Sequence, residues 1–189
     1  MILFSVHADT NFTRHRLRRL DGDTVEGHLD NYSGVHAAML AFFSGRLDND
    51  YTRLELTYGE ERDMEGARAV RRQLKRTDLC VVVDVTGTPT ERDFVIEECA
   101  EPDLTAFVRA ALDGMNYDLY AHCPDPIAQE SETWIYRKKC RLTFFLGVPC
   151  TGGDYNAGAV RTRLSQIAAV SQAMGALAEA YGTSELRRV

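Results

Sequence analysis

Apolar residues follow two rhythms along this chain. Short β-branched runs, such as CVVVDV at 80–85, are apolar with almost no alternation, as expected of parallel strands covered on both faces. Longer segments repeat their apolar residues at helical spacing. In the last of them Val160, Leu164, Ile167, Ala168 and Leu177 form one stripe. The pattern predicts strands at Ile2–Val6, Arg53–Tyr58, Leu79–Val85, Phe94–Glu97, Tyr117–Ala121 and Leu142–Gly147. It predicts helices at Ser33–Ser44, Met64–Arg76, Leu104–Leu112, Gln129–Lys138 and Ala159–Tyr181. LRRLDGDTVEG between the first strand and first helix reads as a hairpin turning at Asp21–Gly22. Strands alternating with helices predict an α/β three-layer sandwich, its sheet mostly parallel and doubly wound with helices on both faces. No repeat, low-complexity tract or linker divides residues 1–189, so one domain is expected.

Composition narrows the function classes. A formal net charge of -6 and a pI near 5.4 argue against non-specific nucleic-acid or acidic-membrane binding. The one basic run, RHRLRR at 14–19, has no interleaved aromatic residue and reads as a solvated strand or loop face. MILFSVHADT lacks the basic leader of a signal peptide, and no apolar run approaches the roughly 20 residues of a membrane helix. The five cysteines are scattered, without zinc-ribbon or redox spacing. They read as reduced thiols in a reducing compartment, by default the cytoplasm.

Open parallel sheets bind ligands beyond the carboxyl ends of their strands, and three predicted strands end in reactive residues. Ile2–Val6 runs into His7-Ala8-Asp9, Arg53–Tyr58 into Gly59-Glu60-Glu61, and Leu79–Val83 into Asp84. Asp30 sits just before the first helix in GHLDNYSG. Singly, each has a plain structural reading: a strand-end histidine, a helix N-cap for Asp30, a solvated turn for Glu60 and Glu61. Together they suggest a metal site, because imidazole and carboxylate are zinc ligands and crowded carboxylates need a cation. Asp9 lies on the same face of an extended strand as His7 and could fix its tautomer.

The order His-x-Asp, Gly-x-x-Asp-Asn-x-x-Gly before a helix, Glu-Glu, then a strand ending in Asp resembles the di-zinc exopeptidase superfamily. DGDTVEGHLDNYSGV, EERDMEGAR, and LTFFLGVPC before a long terminal helix extend the likeness over nearly the whole chain. The resemblance implies that His7 and Asp84 bind one zinc ion, Asp30 bridges to a second, and Glu61 binds the second. It implies that Glu60 is the general base for a metal-activated water, that Asp9 orients His7, and that the Asp30–Asn31 peptide bond is cis. A peptide or an N-acyl small molecule would be the substrate, a homo-oligomer is compatible with it, and no nucleic acid or membrane is involved. The expectation is therefore a zinc-dependent aminopeptidase or amidohydrolase, compact and without a lid or dimerisation insertion.

One ligand departs from this pattern. The superfamily places a histidine between the last strand and the terminal helix, where VPCTGGDYNAG sets Asn156. The second zinc site is weakened accordingly, unless His122 or Asp154 substitutes. The alternative is a degenerate homologue that binds one metal, a peptide end or a partner without turnover. A remote rival is phosphotransfer through Asp84, because DVTGTPT at 84–90 resembles the phosphorylation loop of haloacid-dehalogenase-like phosphatases and ion pumps. Thr86 stands where the soluble phosphatases keep a second aspartate.

Overall fold

A computed structural model describes residues 1–128 and 130–187. Its main sheet contains β1 (Ile2–His7), β4 (Thr52–Thr57), β5 (Leu79–Thr86), β6 (Phe94–Glu97), β7 (Tyr117–Leu119) and β8 (Thr143–Pro149). Their spatial order is β4-β1-β5-β8-β6-β7. All neighbours pair in parallel except β6 and β8, which are antiparallel. A smaller antiparallel sheet joins β2 (Leu17–Arg19), β3 (Thr24–Gly27) and β9 (Val160–Arg163) in the order β2-β3-β9. The expected hairpin is its β2–β3 half, and β2 is exposed along its length, so that part of the basic run is a solvated face.

The continuous apolar runs are explained by a sheet buried on both sides. From β1 and β5, Ile2, Phe4, Val6, Val81 and Val83 join a core with α1 (Tyr32–Phe43), α3 (Pro102–Ala111) and α5 (Leu164–Thr183). Leu3, Cys80 and Val82 point the other way and pack with α2 (Glu65–Gln73) and α4 (Glu132–Arg137). The expected layered α/β architecture is observed. No helix among the described residues is long and apolar enough to cross a membrane. The cysteines are free thiols, all buried except the half-buried Cys123.

Of the boundaries that differ from the sequence reading, three have clear local reasons. The terminal helix begins at Leu164, not Ala159, because Val160 and Thr162 are buried while Arg161 and Arg163 are exposed. That period of two belongs to a strand and overrides the helical stripe. Helix α2 stops at Gln73, three residues early, because buried Leu74 turns extended to enter the core. Helix α4 starts at Glu132, where the Ser131 side chain caps Thr133 N–H; the predicted start at Gln129 lies outside the described residues.

Candidate metal centre

Strands β1, β4 and β5 run parallel, so the segments that follow them emerge at one edge. His7 ends β1 opposite Thr57 of β4. Asp84 lies inside β5, which ends at Thr86, one residue beyond the predicted Val85. Asp30 is brought in by the start of α1. Asn31, not Asp30, is the helix cap: its Oδ1 accepts from Gly34 N–H at 3.0 Å, while its Nδ2 donates to the Val83 carbonyl at 2.9 Å. That side chain fastens the turn holding Asp30 beside Asp84. The fit requires Gly34, since a Cβ there would come within 2.2 Å of Asn31 Oδ1. The Asp30–Asn31 peptide bond is cis.

The result is a compact set of donors. His7 Nε2 lies 3.1 Å from Asp30 Oδ1 and 3.1 Å from Asp84 Oδ2. It is buried, yet neither oxygen stands in hydrogen-bonding alignment with it. One ligand atom from each of His7, Asp30 and Asp84 falls within 4.8 Å of the others. Tetrahedral ligands about 2.0–2.1 Å from a zinc ion sit roughly 3.3 Å apart, close to these separations. A buried imidazole Nε2 set between two carboxylates, without an aligned partner, fits a divalent cation.

Electrostatics agree. Burial, and then the charge of Asp84, pushes Asp30 up to about 7. The same two causes push Glu60 up to about 8. Burial opposes charge on His7, but Asp84 and Asp30 outweigh it and hold the imidazole well above its ordinary value. Protons thus take the place a cation would fill. Asp9 faces the other ring nitrogen, with its carbonyl 3.2 Å and its Oδ1 3.6 Å from Nδ1. Burial would raise Asp9, but the His7 interactions win and lower it.

Glu60 and Glu61 follow β4 in a turn that needs Gly59 at a φ of 73°. Both line one cavity of about 130 Å³ with Asp30 and Asp84. Glu61 stands apart from the three-residue cluster: the side-chain amide of Asn11 donates to its Oε2, and Asn11 N–H reaches its Oε1 at 3.4 Å. Asn156 lines the same cavity, with its Nδ2 turned to Asp154 Oδ1 at 3.1 Å. His122 is exposed and absent from the lining of this cavity, as is Asp154.

Several residues of the site escaped the sequence reading. Asn11 lies in a loop without periodic pattern. Glu97 was legible only as an acid ending the buried strand FVIE. Asp125, between two prolines, gave no signal. Beneath His7 on the same strand face, Ser5 Oγ donates to buried Glu132 at 2.5 Å and meets the Tyr136 hydroxyl at 2.8 Å. This polar chain under the site was hidden inside an apolar run.

The architecture is shared with solved aminopeptidases over most of this chain. The TET1 peptidase of Pyrococcus horikoshii, which can assemble into a tetrahedron or a large octahedral shell, aligns with a TM-score of 0.69 at 17% identity. That match covers 87% of this chain and 53% of the other. Aminopeptidase APDkam598 of Desulfurococcus kamchatkensis gives 0.67 at 13% identity, over 86% and 50%. An M18-family aminopeptidase of Thermotoga maritima gives 0.60 at 14%, over 87% and 48%. The chain spans about half the length of these structures. No family model matches it, and no curated protein matches it in sequence.

Proposed function

We propose that this chain is a metal-dependent hydrolase of the aminopeptidase or amidohydrolase type, with zinc as its ion. The observation that carries the reading is His7 Nε2 lying 3.1 Å from both Asp30 and Asp84, with Glu60 on the wall of the same cavity. The fold it shares with aminopeptidases supports this, as does the sequence resemblance. His7, Asp30 and Asp84 would hold the ion, and Glu61, on the wall of the same cavity, would serve a second. A bound divalent ion supplies a Lewis acid for a carbonyl and lowers the pKa of water.

The residues of the chain do the rest. Glu60, raised to about 8 without metal, falls once a cation offsets Asp84 and Asp30, and is then a carboxylate able to accept a proton from water. Protonated, it can pass that proton to the leaving amine. Asp9 holds the His7 ring by its outer nitrogen, leaving Nε2 for the ion. Asn31 fixes the Asp30 turn against β5.

The test is hydrolysis of a panel of aminoacyl and N-acyl reporter amides with Zn²⁺, Co²⁺ or Mn²⁺. Wild type should turn over at least one reporter, and Glu60→Gln should lower that rate by about 10²–10⁴-fold, the usual contribution of a general base. Turnover undiminished in Glu60→Gln refutes the assignment. A second reading, a binder without turnover, is favoured by Asn156 facing Asp154 and Glu61 being held by Asn11. Silence in wild type with activity in Asn156→His would support that reading.

A further inference from the structure

The main sheet has one long open edge. Strand β4 pairs with β1 on one side, and no strand among the described residues pairs with the other. Ile2 N–H donates to the Tyr51 carbonyl and Ala8 N–H to the Thr57 carbonyl, both at 2.9 Å. The odd-numbered residues of β4 therefore turn their backbone groups to β1, and Thr52, Leu54 and Leu56 turn theirs outward. Proteins blunt such an edge by keeping it short or by adding proline, a bulge or charged side chains. The sheet's other edge, β7, and the outer strand β2 of the small sheet have three residues each, and β2 carries two adjacent arginines. Strand β4 has six residues, TRLELT, without proline or lysine, and its pairing with β1 runs without a bulge.

The pattern along β4 is complementary to itself. In an antiparallel pair of β4 strands with a two-fold axis at Leu54, each Leu54 exchanges two backbone hydrogen bonds with its counterpart. Thr52 does the same with Leu56 of the other copy, so the outward N–H and C=O of all three residues are used. Arg53 then falls opposite Glu55 of the other copy, at the positions where facing side chains come closest. Within one chain Arg53 already pairs with Glu55, and the axis joins two such pairs into one network. A peptide of unrelated sequence would satisfy the backbone without supplying this charge order. Apolar surface flanks the edge. Leu54 packs against the larger core, so Leu56 shares the face that α1 covers. Leu56 is 45% exposed, and Tyr58 just beyond it 53%. At its other end β4 is entered by the turn from α1, whose last residues, Phe42 and Phe43, are 54% and 80% exposed. Antiparallel pairing sets the Phe43 end of one copy against the Leu56 end of the other. A covered aromatic side chain buries about 150–250 Å², so the exposed parts of Phe42, Phe43 and Tyr58 come to about 300–400 Å². With the strand edge they approach the roughly 800 Å² per partner of a stable complex.

We propose that this chain forms a two-fold dimer through β4, continuing the main sheet from one copy into the other. The two candidate metal centres then lie at opposite ends of the joined sheet, each built by one chain, so the dimer stands independently of the hydrolase reading. Sedimentation equilibrium should give twice the 21.2 kDa of one chain. Leu56→Pro removes an outward donor and leaves the bonds to β1 intact. It should raise the dimer dissociation constant about tenfold or more, since the two-fold axis removes that bond twice. Arg53→Glu and Glu55→Arg should each weaken the dimer alone, because like charges then face across the axis. An equimolar mixture of these two variants should dimerise again, since each chain supplies the sign the other lacks. Circular dichroism checks that every variant folds, and the mixture keeps the test decisive even where Leu56→Pro does not. In wild type, hydrogen exchange at the Thr52, Leu54 and Leu56 amides should slow as protein concentration rises. A monomeric wild type, an assembly that persists in the folded Leu56→Pro chain, or charge variants that stay apart when mixed overturns the proposal.

Discussion

Removing divalent metal should give this protein an unusual pH dependence. In chelator, Asp30, Asp84 and Glu60 line one cavity, with His7 against the first two, and no cation separates them. Asp30 is pushed up to about 7 and Glu60 to about 8, both first by burial and then by Asp84. His7 is also raised, because Asp84 and Asp30 outweigh the opposing effect of burial. All three folded values exceed their unfolded ones. Their stabilising contribution is therefore complete below the unfolded values and is lost as pH rises through the folded ones. Between pH 5.5 and 7.5 the folded state holds at least one proton more than the unfolded chain. Each such proton tilts stability by about 1.4 kcal/mol per pH unit. The loss over two units is then about 3 kcal/mol, or roughly 6–12 °C of melting temperature for a domain of this size. Acids with lowered values, such as Asp9, have the opposite sign, but below this window. Zn²⁺ displaces the bound protons, and at a free concentration near 100 times its Kd it adds about 2.7 kcal/mol. The assay is urea unfolding at pH 5.5, 6.5 and 7.5, with chelator or with Zn²⁺. Chelated protein that gains stability over this range, or is indifferent to Zn²⁺ at pH 7.5, refutes the reasoning.

Three further outcomes test separate parts of the structure. Gly34→Ala forces a Cβ against Asn31 Oδ1 and disrupts the cap that fastens the Asp30 turn. It should cost about 1–3 kcal/mol in urea unfolding and weaken Zn²⁺ binding by calorimetry; a change in neither would show that this cap does not position Asp30. Phe144→Ala empties a fully buried site in the larger core. A loss of about 3–5 kcal/mol is expected, without loss of the Zn²⁺ preference for pH 7.5 over 5.5 in the protein that remains folded. Asn156→His places an imidazole on the wall of the cavity that Glu61 also lines and should raise zinc stoichiometry from one to two ions per chain by metal analysis.

The strands that build the site were readable because each combines an apolar run with a polar end. CVVVD could only be a covered strand delivering Asp84 to an edge, and parallel pairing brought His7 to the same edge. The register of β9 was not readable, because Val160 also continues the helical stripe of α5 and only pairing with β3 decides its state. Local pattern likewise says nothing about contacts between distant segments. Glu97 reaches Thr86 and Thr88 across Gly147, where an added Cβ would come within 2.5 Å of the Thr86 methyl. Such closeness depends on strand order, and strand order depends on the whole sheet. Asn11 against Glu61 is a loop meeting a turn, with no periodicity in either segment to announce it.

The central claim is that His7, Asp30 and Asp84 hold a metal ion. Anomalous diffraction at the zinc edge, from crystals grown with Zn²⁺, measures this directly. The account predicts a peak about 2 Å from His7 Nε2 and from a carboxylate oxygen of both Asp30 and Asp84, absent in crystals of Asp84→Asn. A well-diffracting crystal with no peak between these three residues, or with zinc bound only elsewhere, would contradict it.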